Sequence, residues 1–104
     1  MRLEHYSEEK LKREILALLG RHLDLALFRV FFFGSRVTPG KGTDRSDIDV
    51  GIDGPPVPSK TWLEIREEVE NFPSLYKIEI VDFRRVAPIF RKVALRYTED
   101  LMRI

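Results

Sequence analysis

The sequence predicts a domain of the α/β (α+β) class, because strand-like runs alternate with segments of helical periodicity. A β-prone apolar run ends at Phe33, and residues 47–53 and 76–83 alternate between apolar and polar side chains. Apolar residues recur at helical spacing after Ser7, after Thr61 and in residues 86–104. The chain has 104 residues, which is enough for one domain, residues 1–104, with a modest core.

Composition excludes several classes of protein. The net charge of +1 provides no global field that would favour nucleic acid or a membrane surface. Cysteine is absent, which excludes disulfides and thiolate metal sites. The first residues lack the apolar run of a signal peptide, and the apolar stretch 23–33 is too short to cross a membrane. We therefore expect a cytoplasmic protein without direct nucleic-acid binding.

The first predicted helix begins after Ser7, which can cap it, and ends near Gly20. Residues 25–33 then predict a central strand covered on both faces. Gly34 and Ser35 end this strand, and a glycine at such a point indicates a positive φ or a close backbone approach. The amides of this turn could approach a phosphate, although an ordinary turn would have the same sequence.

The polar loop 36–46 carries three basic residues, Arg36, Lys41 and Arg45, which could neutralise a triphosphate. For each of them, a solvated surface position is an equal alternative. Ser46, at the end of the loop, could contribute a further contact to phosphate or metal. The loop alone therefore leaves binding and mere solvation open.

In residues 47–53, Asp47 and Asp49 share one face of the predicted strand, and Ile48 and Val50 share the other. Adjacent carboxylates repel each other unless a cation lies between them, and magnesium prefers such oxygen ligands. A strand with one wet face is the plain alternative. The position one loop after Gly34 favours a magnesium-dependent nucleotide site.

Two further helices complete the prediction. A capping box at Thr61 and Glu64 predicts a helix that runs to about Phe72, with Trp62 or Leu63 on its apolar side. Residues 86–104 predict a last helix with an apolar stripe, which packs on the sheet or in part faces a partner chain. The members of the stripe are Ile89, Phe90, Val93, Ala94, Tyr97 and Leu101.

A third carboxylate should come from the strand in residues 76–83. Ile78 and Ile80 share the core face there, so Glu79 points to the wet face. Asp82 has the parity of the isoleucines and is the less favoured choice, although a bulge would reverse the preference.

Taken together, the Gly34-Ser35 turn, the Asp47 and Asp49 strand and the Glu79 strand resemble the minimal nucleotidyltransferases of the DNA polymerase β-like superfamily. The resemblance covers essentially the whole chain. It implies the nucleotidyltransferase fold, with a small mixed β-sheet and helices packed mainly on one face. The small stand-alone members pair with a HEPN-domain protein, often in toxin–antitoxin operons, and some transfer AMP from ATP to that partner.

The resemblance also assigns roles. Gly34 and Ser35 match the turn that holds the nucleotide phosphates, whereas Arg36 and Ser46 are nucleotide-binding candidates from the loop chemistry alone. Asp47 and Asp49 match the metal-binding pair, and Glu79 stands where the family commonly has aspartate. The metal-binding carboxylates are the catalytic residues of the family. The implied cofactor is Mg²⁺, as two ions, with ATP as substrate. Two departures are the longer third side chain and a loop one residue longer than is usual.

We therefore expect a magnesium-dependent nucleotidyltransferase that acts on a HEPN-domain protein encoded nearby, as its antitoxin, in a homo- or hetero-oligomer. The alternative is a non-catalytic antitoxin that neutralises its partner by contact. An enzyme acting on RNA or on a small molecule such as an aminoglycoside is less favoured, since it would usually need another domain and a more basic surface.

Overall fold

The computed structural model describes residues 7–39, 47–73 and 76–102. Within these ranges, three helices and four strands follow one another along the chain. They are α1 (Glu8–Gly20), β1 (Arg29–Phe33), β2 (Ile48–Asp53), α2 (Ser59–Glu70), β3 (Ile78–Asp82), α3 (Pro88–Ala94) and β4 (Glu99–Asp100).

The strands form one mixed sheet in the order β3-β2-β1-β4. β1 is antiparallel to β2 and to β4, whereas β2 and β3 are parallel and are joined by the crossover through α2. Helices α1 and α2 cover one face through a cluster that includes Leu11, Phe32, Val50 and Ile65. A smaller cluster on the opposite face joins Phe31, Phe33 and Phe83 to α3. The predicted fold class, a small mixed sheet with helices mainly on one face, is confirmed.

Helix α1 forms as predicted. Ser7 Oγ accepts a hydrogen bond from Lys10 N at 3.3 Å, and the acidic side chains of Glu8 and Glu9 lie in the first turn, where they complement the helix dipole. The buried side follows the predicted periodicity, with Leu11, Ile15, Leu18 and Leu19 in the core.

The strand predicted for residues 25–33 is shorter than expected, because Leu25–Leu27 forms a turn of 3₁₀-helix. Asp24 caps this turn, and its Oδ1 accepts from Ala26 N at 3.1 Å. A local bond between a side chain and the backbone has overridden the β propensity of the apolar run. The remaining strand is buried from Val30 to Phe33, as predicted for a central position.

Helix α2 begins at Ser59, so the predicted capping box at Thr61 and Glu64 is wrong. Pro58 occupies the cap position without a side-chain bond, and its carbonyl accepts from Trp62 N at 3.1 Å. The helix therefore starts three residues before the position that the capping box predicts. The same phase buries Trp62 and leaves Leu63 exposed.

The long helix predicted for residues 86–104 is also wrong. Within residues 86–102, the helical part is Pro88–Ala94, and the chain then returns as β4 beside β1. Leu101 N donates to Val30 O at 3.0 Å, and Arg29 binds Asp100 Oδ1 at 3.0 Å and Thr98 Oγ1 at 2.9 Å. Pairing with the otherwise open edge of β1 therefore outweighs the helical periodicity of the sequence.

No helix in the described ranges is both long enough and apolar enough to cross a membrane.

Candidate functional site

The acidic side chains of β2 and β3 lie on the face of the sheet opposite α1 and α2. In the parallel register, Asp49 of β2 is the partner of Glu79 of β3, and the antiparallel register places Phe33 beside Asp49. Asp47 precedes β2 and is half-buried, as is Asp49, whereas Glu79 is exposed. Strand pairing therefore places Asp49 and Glu79 side by side, and Asp47 is close enough to interact with Asp49 electrostatically.

Gly34 fits its place in two ways. Its φ of 82° lies in the left-handed region, as predicted from the abrupt end of the strand. A Cβ atom built on it would lie 2.2 Å from Asp49 Oδ2, so the carboxylate occupies the space that any other residue would fill. The glycine thus allows the turn and also admits Asp49 against the backbone.

The turn after Gly34 is closed by a single carbonyl. Gly34 O accepts from Val37 N at 3.2 Å, from Thr38 N at 3.1 Å and from Thr38 Oγ1 at 2.8 Å. These bonds hold Thr38 beside the carboxylates. Ser35 and Arg36 lie within the turn and are half-buried.

The Arg36 guanidinium stacks over the ring of Tyr76, with 4.8 Å between Arg36 Cζ and the ring centroid. The stack places this predicted phosphate ligand beside the start of β3. The other loop candidates, Lys41, Arg45 and Ser46, lie outside the described residues.

A cavity of about 390 Å³ opens between the carboxylates and α3. Its walls combine the Gly34 turn, the acidic strands and an apolar side. The lining residues are Phe33, Gly34, Thr38, Asp49, Glu79, Val81, Phe90, Val93 and Ala94. A larger cavity of about 640 Å³ between α2 and β3 shares Glu79 but contains neither Gly34 nor Asp49. Of these two cavities, the smaller one is therefore the one lined by Gly34 together with Asp49 and Glu79.

Sequence reasoning missed four of these lining residues. Thr38 belongs to a polar loop, and its sequence context does not distinguish it from its neighbours. Its hydrogen bond to Gly34 O is visible only in the structure. Phe90, Val93 and Ala94 belong to the predicted apolar stripe, which suggested core packing rather than the wall of a site. Their helical spacing predicted one apolar side of a helix. It could not predict which surface of the sheet that side would contact.

Electrostatics around the carboxylates is unbalanced. Burial, together with the neighbouring carboxylates of Glu79 and Asp47, raises the pKa of Asp49 to about 6. Lys77 Nζ pairs with Glu79 Oε1 at 3.3 Å. This contact, and the charges of Glu79 and Asp47, raise the pKa of Lys77. Three like charges at one place favour a bound cation.

Chemically, the donor set suits a hard divalent ion, because all three candidates offer carboxylate oxygens. Among residues 7–39, 47–73 and 76–102, however, no three His, Cys, Asp or Glu side chains are gathered closely enough to hold a metal. Glu79 forms an ion pair with Lys77. The structure thus supplies the ligand chemistry and the charge imbalance, without a converged set of ligands.

The two other aspartates of these strands have structural partners. Asp82 accepts from Arg84 N at 3.0 Å and pairs with Arg85 at 3.6 Å, so it stabilises the turn after β3. Asp53 Oδ2 accepts from Arg91 at 2.5 Å, which ties β2 to α3. Both lie apart from the cavity lined by Asp49 and Glu79.

Comparison with known proteins gives a likeness of fold. No protein-family model and no curated protein sequence matches the chain. Among solved structures, a mutant MntA–HpeT toxin–antitoxin complex contains a chain that aligns with a TM-score of 0.66 at 16% identity. The match covers 89% of this chain and 73% of that chain.

Two further complexes are similar. A toxin–antitoxin structure with AMP-PNP has a TM-score of 0.65 at 17% identity, over 89% of this chain and 73% of that one. A tri-AMPylated HEPN toxin of Shewanella oneidensis with its MNT antitoxin has a TM-score of 0.64 at 16% identity, over 92% and 73%. The chain has the fold of the MNT, or minimal nucleotidyltransferase, antitoxins, which confirms the resemblance at the level of the fold.

Proposed function

We propose that this protein is a magnesium-dependent nucleotidyltransferase that transfers AMP from ATP to a hydroxyl of a HEPN-domain protein, and thereby acts as the antitoxin of that partner. The single observation that carries the proposal is the register of Asp49 with Glu79, beside a positive-φ glycine at the mouth of a cavity. The likeness to MNT antitoxin complexes, one with AMP-PNP and one with an AMPylated toxin, supports the nucleotide and the partner.

In this proposal, Asp47, Asp49 and Glu79 hold magnesium. When bound, the metal neutralises the triphosphate and polarises the phosphoryl oxygens. The amides of the turn at Gly34 and Ser35 bind phosphate, and Ser46 and the Arg36 guanidinium are further nucleotide contacts.

The acceptor oxygen forms a bond to the α-phosphorus of ATP, and the bond from that phosphorus to the leaving oxygen breaks, which releases pyrophosphate. Glu79, the most exposed of the three carboxylates, accepts the proton of the acceptor hydroxyl. Since the chain forms no covalent bond to the nucleotide, it contributes positioning and charge neutralisation.

The decisive experiment incubates the protein with radiolabelled ATP, Mg²⁺ and the HEPN-domain protein encoded beside its gene. We expect label on the partner with the parent chain and none with Asp47→Asn/Asp49→Asn. Glu79→Gln should lose transfer too, whereas Asp82→Asn should retain it because Asp82 serves the turn. Loss of Mg²⁺-dependent nucleotide binding in Asp82→Asn but not in Glu79→Gln would reverse that assignment.

A second candidate function is a non-catalytic antitoxin that neutralises its partner by contact. The pairing of Glu79 with Lys77 favours it, since that contact engages one of the three carboxylates with a side chain of the domain itself. If the parent chain places no label on the partner, yet the parent and the double variant neutralise it equally, this second function is correct and the enzymatic proposal is not.

A further inference from the structure

Helix α3 carries an apolar edge that is exposed among the residues the structure describes. Ile89 is 71% exposed and Val93 is 55% exposed, and their spacing of four residues places them side by side along the helix. Tyr97, just beyond the helix, is 48% exposed. The other side of α3 is anchored to the sheet, where Phe90 contacts Phe33 and Phe83 at centroid distances of 6.2 and 6.0 Å.

This edge is continuous with the candidate site. Val93 belongs to it and also lines the cavity that contains Asp49 and Glu79, next to Phe90 on the anchored side of the helix. A macromolecule that presents a hydroxyl to those carboxylates over the α3 side of the cavity must therefore contact the edge. Isolated exposed apolar residues are common, but a row that leads into a cavity is not explained by chance exposure.

The segment that carries the edge is basic in sequence, and two of its basic residues are paired, Arg85 with Asp82 and Arg91 with Asp53. Residues 84–97 contain five arginine or lysine residues and no aspartate or glutamate, whereas the whole chain has a net charge of +1. Two of the five, Lys92 and Arg96, are exposed and stand three residues after Ile89 and Val93. The edge is thus an apolar strip with a basic border.

We propose that the edge formed by Ile89, Val93 and Tyr97, bordered by Lys92 and Arg96, is the docking surface for the acceptor protein. The surface fits a protein whose own apolar patch has an acidic border. Aliphatic side chains such as Ile89 and Val93 gain from contact with apolar protein surface and gain little from phosphates or base edges, which favours a protein over RNA. The inference rests on the proposed function and specifies where the partner of that site binds.

The test measures the affinity of the HEPN-domain protein for single variants by isothermal titration calorimetry. Ile89→Glu should weaken binding about tenfold or more, as expected for a residue near the centre of an interface, and the charge reversal Arg96→Glu at the border should weaken it several-fold. Matched controls lie on α2, across the sheet: Leu63→Glu, at a position 60% exposed, and Lys60→Glu. Both should bind like the parent chain.

Added salt should weaken binding of the parent chain more than that of Arg96→Glu, since the variant lacks one of the charges that salt screens. Thermal shifts on addition of Mg²⁺ and an ATP analogue should be the same for Ile89→Glu and the parent chain, because Ile89 does not line the cavity. These shifts show that the variant is folded and that its nucleotide site is intact.

Each result has a definite meaning. If the parent chain binds the partner and Ile89→Glu and Arg96→Glu bind equally well, the docking surface is refuted while the proposed function stands. If the parent chain does not bind the partner, both are refuted. Binding of RNA or anionic vesicles by the parent chain, lost in the same two variants in place of a loss of protein binding, would also overturn the inference.

Discussion

A methyl group at position 34 would lie 2.2 Å from Asp49 Oδ2 and would have to be accommodated at a φ of 82°. For Gly34→Ala we expect a loss of about 1 to 3 kcal/mol of unfolding free energy, from backbone strain and displacement of the carboxylate. Denaturant titration measures this loss.

Gly20→Ala is the matched control. Its added Cβ would meet Leu25 Cδ1 at an ordinary 3.6 Å, and its position at the end of α1 carries no positive φ. The control should be neutral or slightly stabilising. If both variants lose the same stability, Gly34 has no special relation to Asp49.

The charge of Asp49 should oppose folding at neutral pH. Its folded pKa, about 6, lies above the ordinary value of 3.8, so protonation favours the folded state. The stabilisation is complete below pH 3.8 and is lost as the pH rises through about 6. In metal-free buffer at neutral pH, Asp49→Asn should therefore raise the unfolding free energy by about 1 to 2 kcal/mol, after allowance for solvent screening at this half-buried site.

The gain from Asp49→Asn should shrink as the pH falls below 6. Asp82→Asn should instead lower the unfolding free energy, because that carboxylate accepts from Arg84 N and pairs with Arg85. Urea titrations of both variants across the acid range would check the prediction. A destabilised Asp49→Asn protein at neutral pH without metal would contradict it.

At the scale of elements, Arg91 fixes the position of α3. Its guanidinium donates to Asp53 Oδ2 at 2.5 Å and to Phe83 O at 3.1 Å, so one side chain joins the helix to the ends of β2 and β3. Because α3 forms the apolar wall of the cavity, the position of this helix determines the shape of the candidate site.

Arg91→Met should weaken binding of a fluorescent ATP analogue several-fold while lowering the unfolding free energy only slightly, as for an exposed ion pair. Arg91→Lys should restore part of the affinity. Arg96→Met, just beyond the end of α3, is the control that should bind the analogue normally. Equal affinity for parent and Arg91→Met would show that Arg91 does not position the wall.

The elements differ in how far their sequences determine them. Helix α1 was predictable because its cap and its apolar spacing are local signals. Strand β4 was not, since Glu99 and Asp100 have no strand pattern of their own and pair only because β1 offers a free edge. The start of α2 was not predictable, because its cap residue Pro58 makes no side-chain bond and the capping box that follows is the more obvious local signal.

At the scale of the whole molecule, alternation alone predicted which face of each acidic strand is polar. It could not predict that Asp49 lies beside Glu79, because that depends on the register in which β2 pairs with β3. The apolar wall of the cavity depends on which face α3 covers, and that depends on contacts of Phe90 with the rings of Phe33 and Phe83. Local patterns thus predicted most of the acidic side of the candidate site and none of its apolar side.

The parallel pairing of β2 with β3 has a consequence for folding kinetics. Asp49 and Glu79 are neighbours only after the crossover through α2 has closed, which is a non-local event in the chain. If the closure follows the rate-limiting step, Mg²⁺ bound between these strands should slow unfolding and leave the refolding rate nearly unchanged. Stopped-flow measurements with Mg²⁺ and with chelator would show this, and an equal acceleration of refolding would instead place the closure before the barrier.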